Sequence, residues 1–205
     1  MLLPALVLTL VSAAAVSSDP RPRIVALGDS LTSGHGIGQA SAYPAALQDK
    51  IRRAGLPFDV VNAGVSRATS ADALRRLDAA LDGDVRVLIV AVGANDGLRG
   101  LPVAQLRTNL SQIVERAQAR GVSVILCGME ALPIHGWDYT VAFHQAYVDL
   151  ARRYDVPLVP FVMMSVIGNP DLLQPDRVHP NAAGARVIAD AIWPYLEPLL
   201  QANAA

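Results

Sequence analysis

Short β-branched runs alternate with longer stretches whose apolar residues recur every three or four positions, from Pro22 almost to the end of the chain. The short runs predict strands at Arg23–Leu27, Phe58–Asn62, Val85–Val92, Val122–Cys127 and Pro157–Val159. The longer stretches predict helices near Tyr43–Ala54, Ser70–Leu81, Pro102–Arg120 and Tyr139–Tyr154. A last helix is predicted from about Pro180 to Leu200, with Pro194 and Pro198 disturbing its end. Ser70-Ala71-Asp72 suits a helix start and Gly121 a stop. The segment V-R-V-L-I-V-A-V is apolar at nearly every position, which suits a central parallel strand covered on both faces. Regular strand–helix alternation implies an α/β fold built on an open parallel sheet with right-handed crossovers.

In such sheets ligands sit beyond the carboxyl ends of the strands. The polar and glycine-rich segments fall there. G-D-S-L-T-S-G follows the first predicted strand, N-A-G-V-S-R the second and G-A-N-D-G the third, while D-R-V-H-P precedes the last helix.

Composition narrows the classes. The chain has 205 residues, 52% hydrophobic and 17% charged, with a net charge of −1. That excludes a disordered chain and gives no basic stripe for a nucleic-acid partner. The single cysteine, Cys127, ends an apolar run and reads as a buried strand residue rather than a reactive thiol. Residues 1–18, M-L-L-P-A-L-V-L-T-L-V-S-A-A-A-V-S-S, carry no charge. The apolar stretch is shorter than the roughly 20 residues of a membrane span, and Ala13 and Ala15 fit an A-x-A cleavage pattern, although no Lys or Arg follows Met1. It is read as a signal peptide, giving export to the periplasm or medium, no stable membrane span, and one domain over residues 19–205.

A serine at the end of the first strand, Ser30, can stand exposed with its N–H at a helix start. A hydroxyl is a weak nucleophile until a base removes its proton, so the reading needs a histidine. Four are present. His144 lies mid-helix as a surface or packing residue. His35 lies in a glycine-rich loop with no carboxylate near it but Asp29, and His135 has no orienting carboxylate. His179 follows Asp176 by three positions and precedes Pro180, so a turn entering the last helix can fold Asp176 back onto the imidazole and fix its tautomer. Alone, D-x-x-H is a weak signal; paired with G-D-S-L in an alternating chain it reads as two members of a triad. G-x-G-x-G at Gly34–Gly38 is not a dinucleotide fingerprint, and no G-K-[ST] occurs. Scattered histidines and one cysteine give no metal site, and no cofactor is called for.

Together these segments resemble the GDSL, or SGNH, hydrolase superfamily, in the family's order from Arg23 to the final helix. Ser30 matches the nucleophile of G-D-S-L, Asn95 the asparagine of G-x-N-D, and Asp176 and His179 the D-x-x-H pair. N-D-G-L-R-G (Asn95–Gly100), D-V-P-L-V-P-F (Asp155–Phe161) and H-P-N (His179–Asn181) are similar to the bacterial acyl-CoA thioesterase, arylesterase and lysophospholipase group. The resemblance implies a three-layer α/β/α, flavodoxin-like sheet of five strands, no metal, and hydrolysis of small-molecule acyl esters or thioesters. It implies an oxyanion hole made by the N–H groups of Ser30 and residue 67 and the Asn95 amide. Position 67 departs from the pattern: N-x-x-x-S-G-x-T carries glycine where this chain has Arg67. Either Arg67 keeps the donor, strained if φ must be positive, or Gly64 absorbs the bend. Leu98, Leu132, Pro133 and Ile134, in loops at the same face, are candidate acyl-chain contacts. The same triad would also serve a carbohydrate O-acetyl esterase or an acyltransferase, and a non-catalytic binding protein could retain the scaffold.

Overall fold

Every residue from Val87 to Val92 is buried, as the apolar run predicts for a strand sandwiched between helices. The computed structural model describes residues 21–204; the signal peptide read at residues 1–18 lies outside them. The strands are β1 (Arg23–Gly28), β2 (Asp59–Gly64), β3 (Val85–Ala91), β4 (Ser123–Cys127) and β5 (Leu158–Val159). They form one all-parallel sheet in the order β2-β1-β3-β4-β5, the flavodoxin-like order. The direction of strand addition reverses between β1 and β3. A crevice is expected there, outside their carboxyl ends.

The long helices are α2 (Tyr43–Arg53), α3 (Ser70–Ala80), α5 (Val103–Gln118), α6 (Trp137–Tyr154) and α7 (Ala182–Ala204). α2 packs on α7, while α5 packs on both α3 and α6, giving the layers on either side of the sheet. Sequence-read boundaries differ from these by a residue or two at most ends. α3 starts at Ser70 as read, with Thr69 as its cap, through a reciprocal box with Asp72 that leaves the Ser70 side chain free for another task. Two differences have physical causes. α7 begins after Asn181, whose Oδ1 accepts the N–H groups of Ala183 and Gly184. It then runs through Pro194 and Pro198 without ending. Ile188, Ile192, Leu196 and Leu200 are buried at a spacing of four, and this buried stripe outweighs the backbone hydrogen bonds that the prolines remove.

Two short helices, α1 (Ser30–Ser33) and α4 (Ala94–Leu98), stand where the sequence shows only polar, glycine-rich segments. They follow β1 and β3, on the two sides of the crevice. No helix among the described residues is long and apolar enough to cross a membrane.

Candidate active site

The site begins at Gly28, the last residue of β1. A Cβ there would lie 1.9 Å from Thr32 Oγ1 and 2.6 Å from the Ala91 carbonyl, so only glycine lets the chain pass this close to α1 and β3. Asp29 caps the turn, its Oδ1 accepting the Leu31 N–H at 3.0 Å. Ser30 is therefore the first residue of α1, with its own N–H free of helix bonding. Gly34, at φ +74°, ends the helix after one turn.

Ser30 Oγ lies 3.1 Å from His179 Nε2, across 149 residues of sequence. His179 Nδ1 lies 2.6 Å from Asp176 Oδ2. A carboxylate accepts there, so Nδ1 carries the proton and Nε2 is the acceptor for the serine hydroxyl. Asp176 Oδ1 also accepts the N–H groups of Val178 and His179, both at 3.0 Å. These bonds, led by the His179 N–H, hold its carboxyl well below the usual carboxylate range. The turn is clamped from both ends. Gln174 N–H donates to the His179 carbonyl, and the Gln174 amide donates to the carbonyls of Pro180 and His35, binding it to the loop after Ser30.

The other histidines fall elsewhere. His35 lies against the triad, its ring centroid 4.7 Å from that of His179, a contact the sequence left open. His135 faces the Leu98 carbonyl and the edge of Tyr139. His144 is exposed and bound to Glu130, as a surface residue. Cys127 is buried at the end of β4, and burial pushes its thiol up to about 12, so it is no nucleophile.

Arg67 has φ +66°, so the position does take the left-handed conformation that glycine would occupy freely. Gly64 does not absorb the bend. It is the last residue of β2, paired in register with Gly28, and a Cβ on it would lie 2.3 Å from Ser33 N. Its role is close packing of α1 on the strand. The loop after β2 is fixed from α4: Asn95 Nδ2 donates to the Ala68 carbonyl at 3.0 Å, and Arg99 Nη2 donates to the Arg67 carbonyl at 2.9 Å.

Asp96, next to Asn95, is buried and accepts the Ser70 N–H at 2.8 Å and the Ser70 hydroxyl at 2.5 Å. Asn109 completes this cluster by donating to Ser70 Oγ. Burial raises the Asp96 carboxyl despite these donors. Gly93, at φ +127°, leaves no room for a side chain, because the Tyr147 hydroxyl fills that space and donates to the Val92 carbonyl. Sequence reading missed Asp96, Ser70 and Tyr147 as supports, and it missed Asp29. Asp29 is completely buried, with Oδ2 unpartnered, and burial lifts its carboxyl from 3.8 to about 7. The only signal in the sequence was its place between a strand and a helix start.

Of the four candidate acyl contacts at this face, Leu132 is in a loop and the other three are on short helical turns. Leu98 ends α4; Pro133 and Ile134 belong to a 3₁₀ turn that Leu132 precedes. Leu98, Leu132 and Ile134 are about half or more exposed. Trp137, at the start of α6, and Met164 and Ile167, beyond β5, are exposed apolar residues that the sequence did not single out. Among the described residues no three His, Cys, Asp or Glu side chains converge as metal ligands.

Residues 26–187 match the GDSL-like lipase/acylhydrolase family. The chain is 36% identical to the esterase TesA of Pseudomonas aeruginosa over 178 residues, 86% of this chain and 89% of that protein. It is 37% identical to thioesterase 1/protease 1/lysophospholipase L1 of Escherichia coli over 199 residues, 97% of this chain and 93% of that one. Among solved structures, the SGNH-hydrolase family esterase AlinE4 superposes with a TM-score of 0.73 at 38% identity, covering 92% of this chain and all of that one.

Proposed function

The chain belongs to the GDSL-like lipase/acylhydrolase family, and from that premise we propose that Ser30, His179 and Asp176 are the nucleophile, base and orienting acid of a carboxylic ester and thioester hydrolase. Ser30 Oγ attacks the acyl carbonyl carbon as its proton passes to His179 Nε2. Asp176 keeps the imidazole in the tautomer that can accept this proton and stabilises the imidazolium that forms. The negative charge arising on the carbonyl oxygen is met by the N–H groups of Ser30 and Arg67 and the Asn95 amide. His179 then returns its proton to the leaving alcohol or thiol. A water, deprotonated by the same imidazole, hydrolyses the acyl-enzyme. Leu98, Leu132, Pro133 and Ile134 offer the apolar surface along which the acyl chain lies.

One observation carries this reading: the unbroken contact from Ser30 Oγ through both ring nitrogens of His179 to Asp176. A fluorophosphonate probe tests it. The native protein should label at Ser30, and Ser30→Ala should neither label nor turn over p-nitrophenyl esters while melting at the native temperature. Normal turnover by a folded Ser30→Ala protein would refute the assignment. The apolar, uncharged first 18 residues support export to the periplasm or medium with removal of that segment. N-terminal sequencing of the protein from the periplasmic fraction checks it; an intact Met1 on cytoplasmic protein would overturn it.

A further inference from the structure

Ser30 and His179 stand on separate loops, so the 3.1 Å between Oγ and Nε2 depends on how those loops are joined. Asp176 holds only one edge of the imidazole, through Nδ1. A ring held at one edge can still rock about the line from its Cβ to the carboxylate, and rocking takes Nε2 off the serine. The face needs a support of its own. His35 stands there, with its ring centroid 4.7 Å from that of His179 and the two planes 48° apart. Among the described residues, His35 makes hydrogen bonds only through its backbone, and each one fixes it between the two loops. Its N–H donates to the Ser30 carbonyl at 3.1 Å, and its carbonyl accepts the Gln174 amide at 2.7 Å. Gln174 belongs to the turn that carries the base. Its N–H donates to the His179 carbonyl at 2.8 Å, and the Nε2 that reaches His35 also donates to the Pro180 carbonyl at 2.9 Å. Both amide protons are thus committed, one to each loop. The approach is close: a Cβ on Gly36, at φ +77°, would lie 2.0 Å from Gln174 Oε1.

We propose that His35 is a positioning residue of the triad, seated on the face of the His179 ring by Gln174, so that one amide couples the aim of the base to the place of the nucleophile. This rests on the hydrolase reading above. The support acts twice in the cycle, because His179 takes a proton from Ser30 in acylation and from water in deacylation. It also acts on charge. When His179 accepts a proton it becomes a cation, and an aromatic face within about 6 Å attracts a cation. Both effects fall on the transition state rather than on substrate binding. His35 is exposed and its side chain carries no hydrogen bond among the described residues, so replacing it should spare the fold.

The test measures kcat and KM for p-nitrophenyl butyrate, and the rate of fluorophosphonate labelling, in the native full chain, His35→Ala, His35→Tyr, Gln174→Leu and the double variant His35→Ala with Gln174→Leu, each with its melting temperature. His35→Ala should lower kcat and the labelling rate by about tenfold, with KM within about twofold of native. His35→Tyr restores an aromatic face and should recover most of that loss. Gln174→Leu should lower kcat in the same way, and the double variant should fall no further than the worse single one, because both act through one contact. If Gln174→Leu melts early, the comparison of His35→Ala with His35→Tyr decides by itself. Native kcat in His35→Ala, a change confined to KM, or no recovery in His35→Tyr overturns the proposal. So do losses that multiply in the double variant. A native protein that neither labels nor turns over the ester would instead refute the hydrolase reading itself.

Discussion

Asp29→Asn should reverse the effect of pH on stability at a single position. Asp29 is wholly buried, one oxygen bonded to the Leu31 N–H and the other without a partner. Burial raises its carboxyl from 3.8 to about 7, with the Leu31 N–H and the nearby His179 charge opposing. The folded state therefore holds this proton more tightly than the unfolded chain. The stability it contributes is fully present below about pH 4 and is lost as pH rises through about 7, where the carboxyl ionises in both states. At about 1.4 kcal/mol per pH unit, the loss over that interval is on the order of 4 kcal/mol. Asparagine has no proton to lose. It keeps the acceptor for Leu31, and its amide places an unbonded N–H₂ at the unpartnered spot, at a cost of roughly 1–3 kcal/mol. The variant should thus be less stable than the native protein at about pH 4.5 and more stable at about pH 8.5. Urea denaturation at half-unit pH steps measures both curves. Other titrating groups appear in both proteins and cancel in the difference. A constant offset between the curves would show that Asp29 titrates as an ordinary carboxylate and that its burial has no electrostatic consequence.

Asn95→Ala should lower kcat by about 10²–10³-fold with little change in KM, because its amide meets charge present only in the transition state; a pure KM effect would remove it from the oxyanion hole. Arg67→Gly should relieve the positive φ. After the added freedom of the unfolded chain is subtracted, the gain is about 0.5–1 kcal/mol, or roughly 2 °C in Tm by calorimetry, and a fall in Tm would refute the strain. Leu98→Ala and Leu132→Ala should shift the acyl-length optimum in a p-nitrophenyl ester series, since both are half-exposed apolar residues in segments that follow β3 and β4; an unchanged profile would place the acyl chain elsewhere.

The long helices were legible because burial imposes a period on them, and β1, β3 and β4 because their apolar runs are nearly continuous, with Arg86 the one exposed position inside β3. Ser30, Asp176 and His179 were legible because their chemistry fixes neighbours in sequence: a strand end, a carboxylate three residues before an imidazole, a proline after it. α1 and α4 were not, since each is about one turn, too short for a period of 3.6 to show. The prolines of α7 misled for a different reason. Proline speaks only for its own backbone, while the buried stripe of α7 spans the whole helix. Asp96 and Ser70 meet across 26 residues, and nothing local marks either as buried. His35 and His179 meet where Gln174 ties their loops together, across a sequence gap that no local pattern bridges.

The two buried carboxylates have matching places. Asp29 precedes the nucleophile and holds the first turn of α1; Asp96 follows Asn95 and holds α4 against the start of α3. Each stands beside a proposed oxyanion donor and accepts one backbone N–H from the segment it secures. A desolvated carboxylate raises the cost of folding, and both are raised towards neutrality for that reason. A hydroxyl or amide could cap either turn more cheaply. Asp96 adds two acceptor oxygens on one rigid plane, taking the Ser70 N–H and hydroxyl, whereas Asp29 uses Oδ1 alone, on the Leu31 N–H. Arg67 follows the same logic in the third loop, where backbone strain and the Arg99 anchor hold the N–H. All three donors are thus fixed before substrate arrives, by groups that weaken the fold taken singly. That arrangement is the condition for stabilising an oxyanion without reorganising around it.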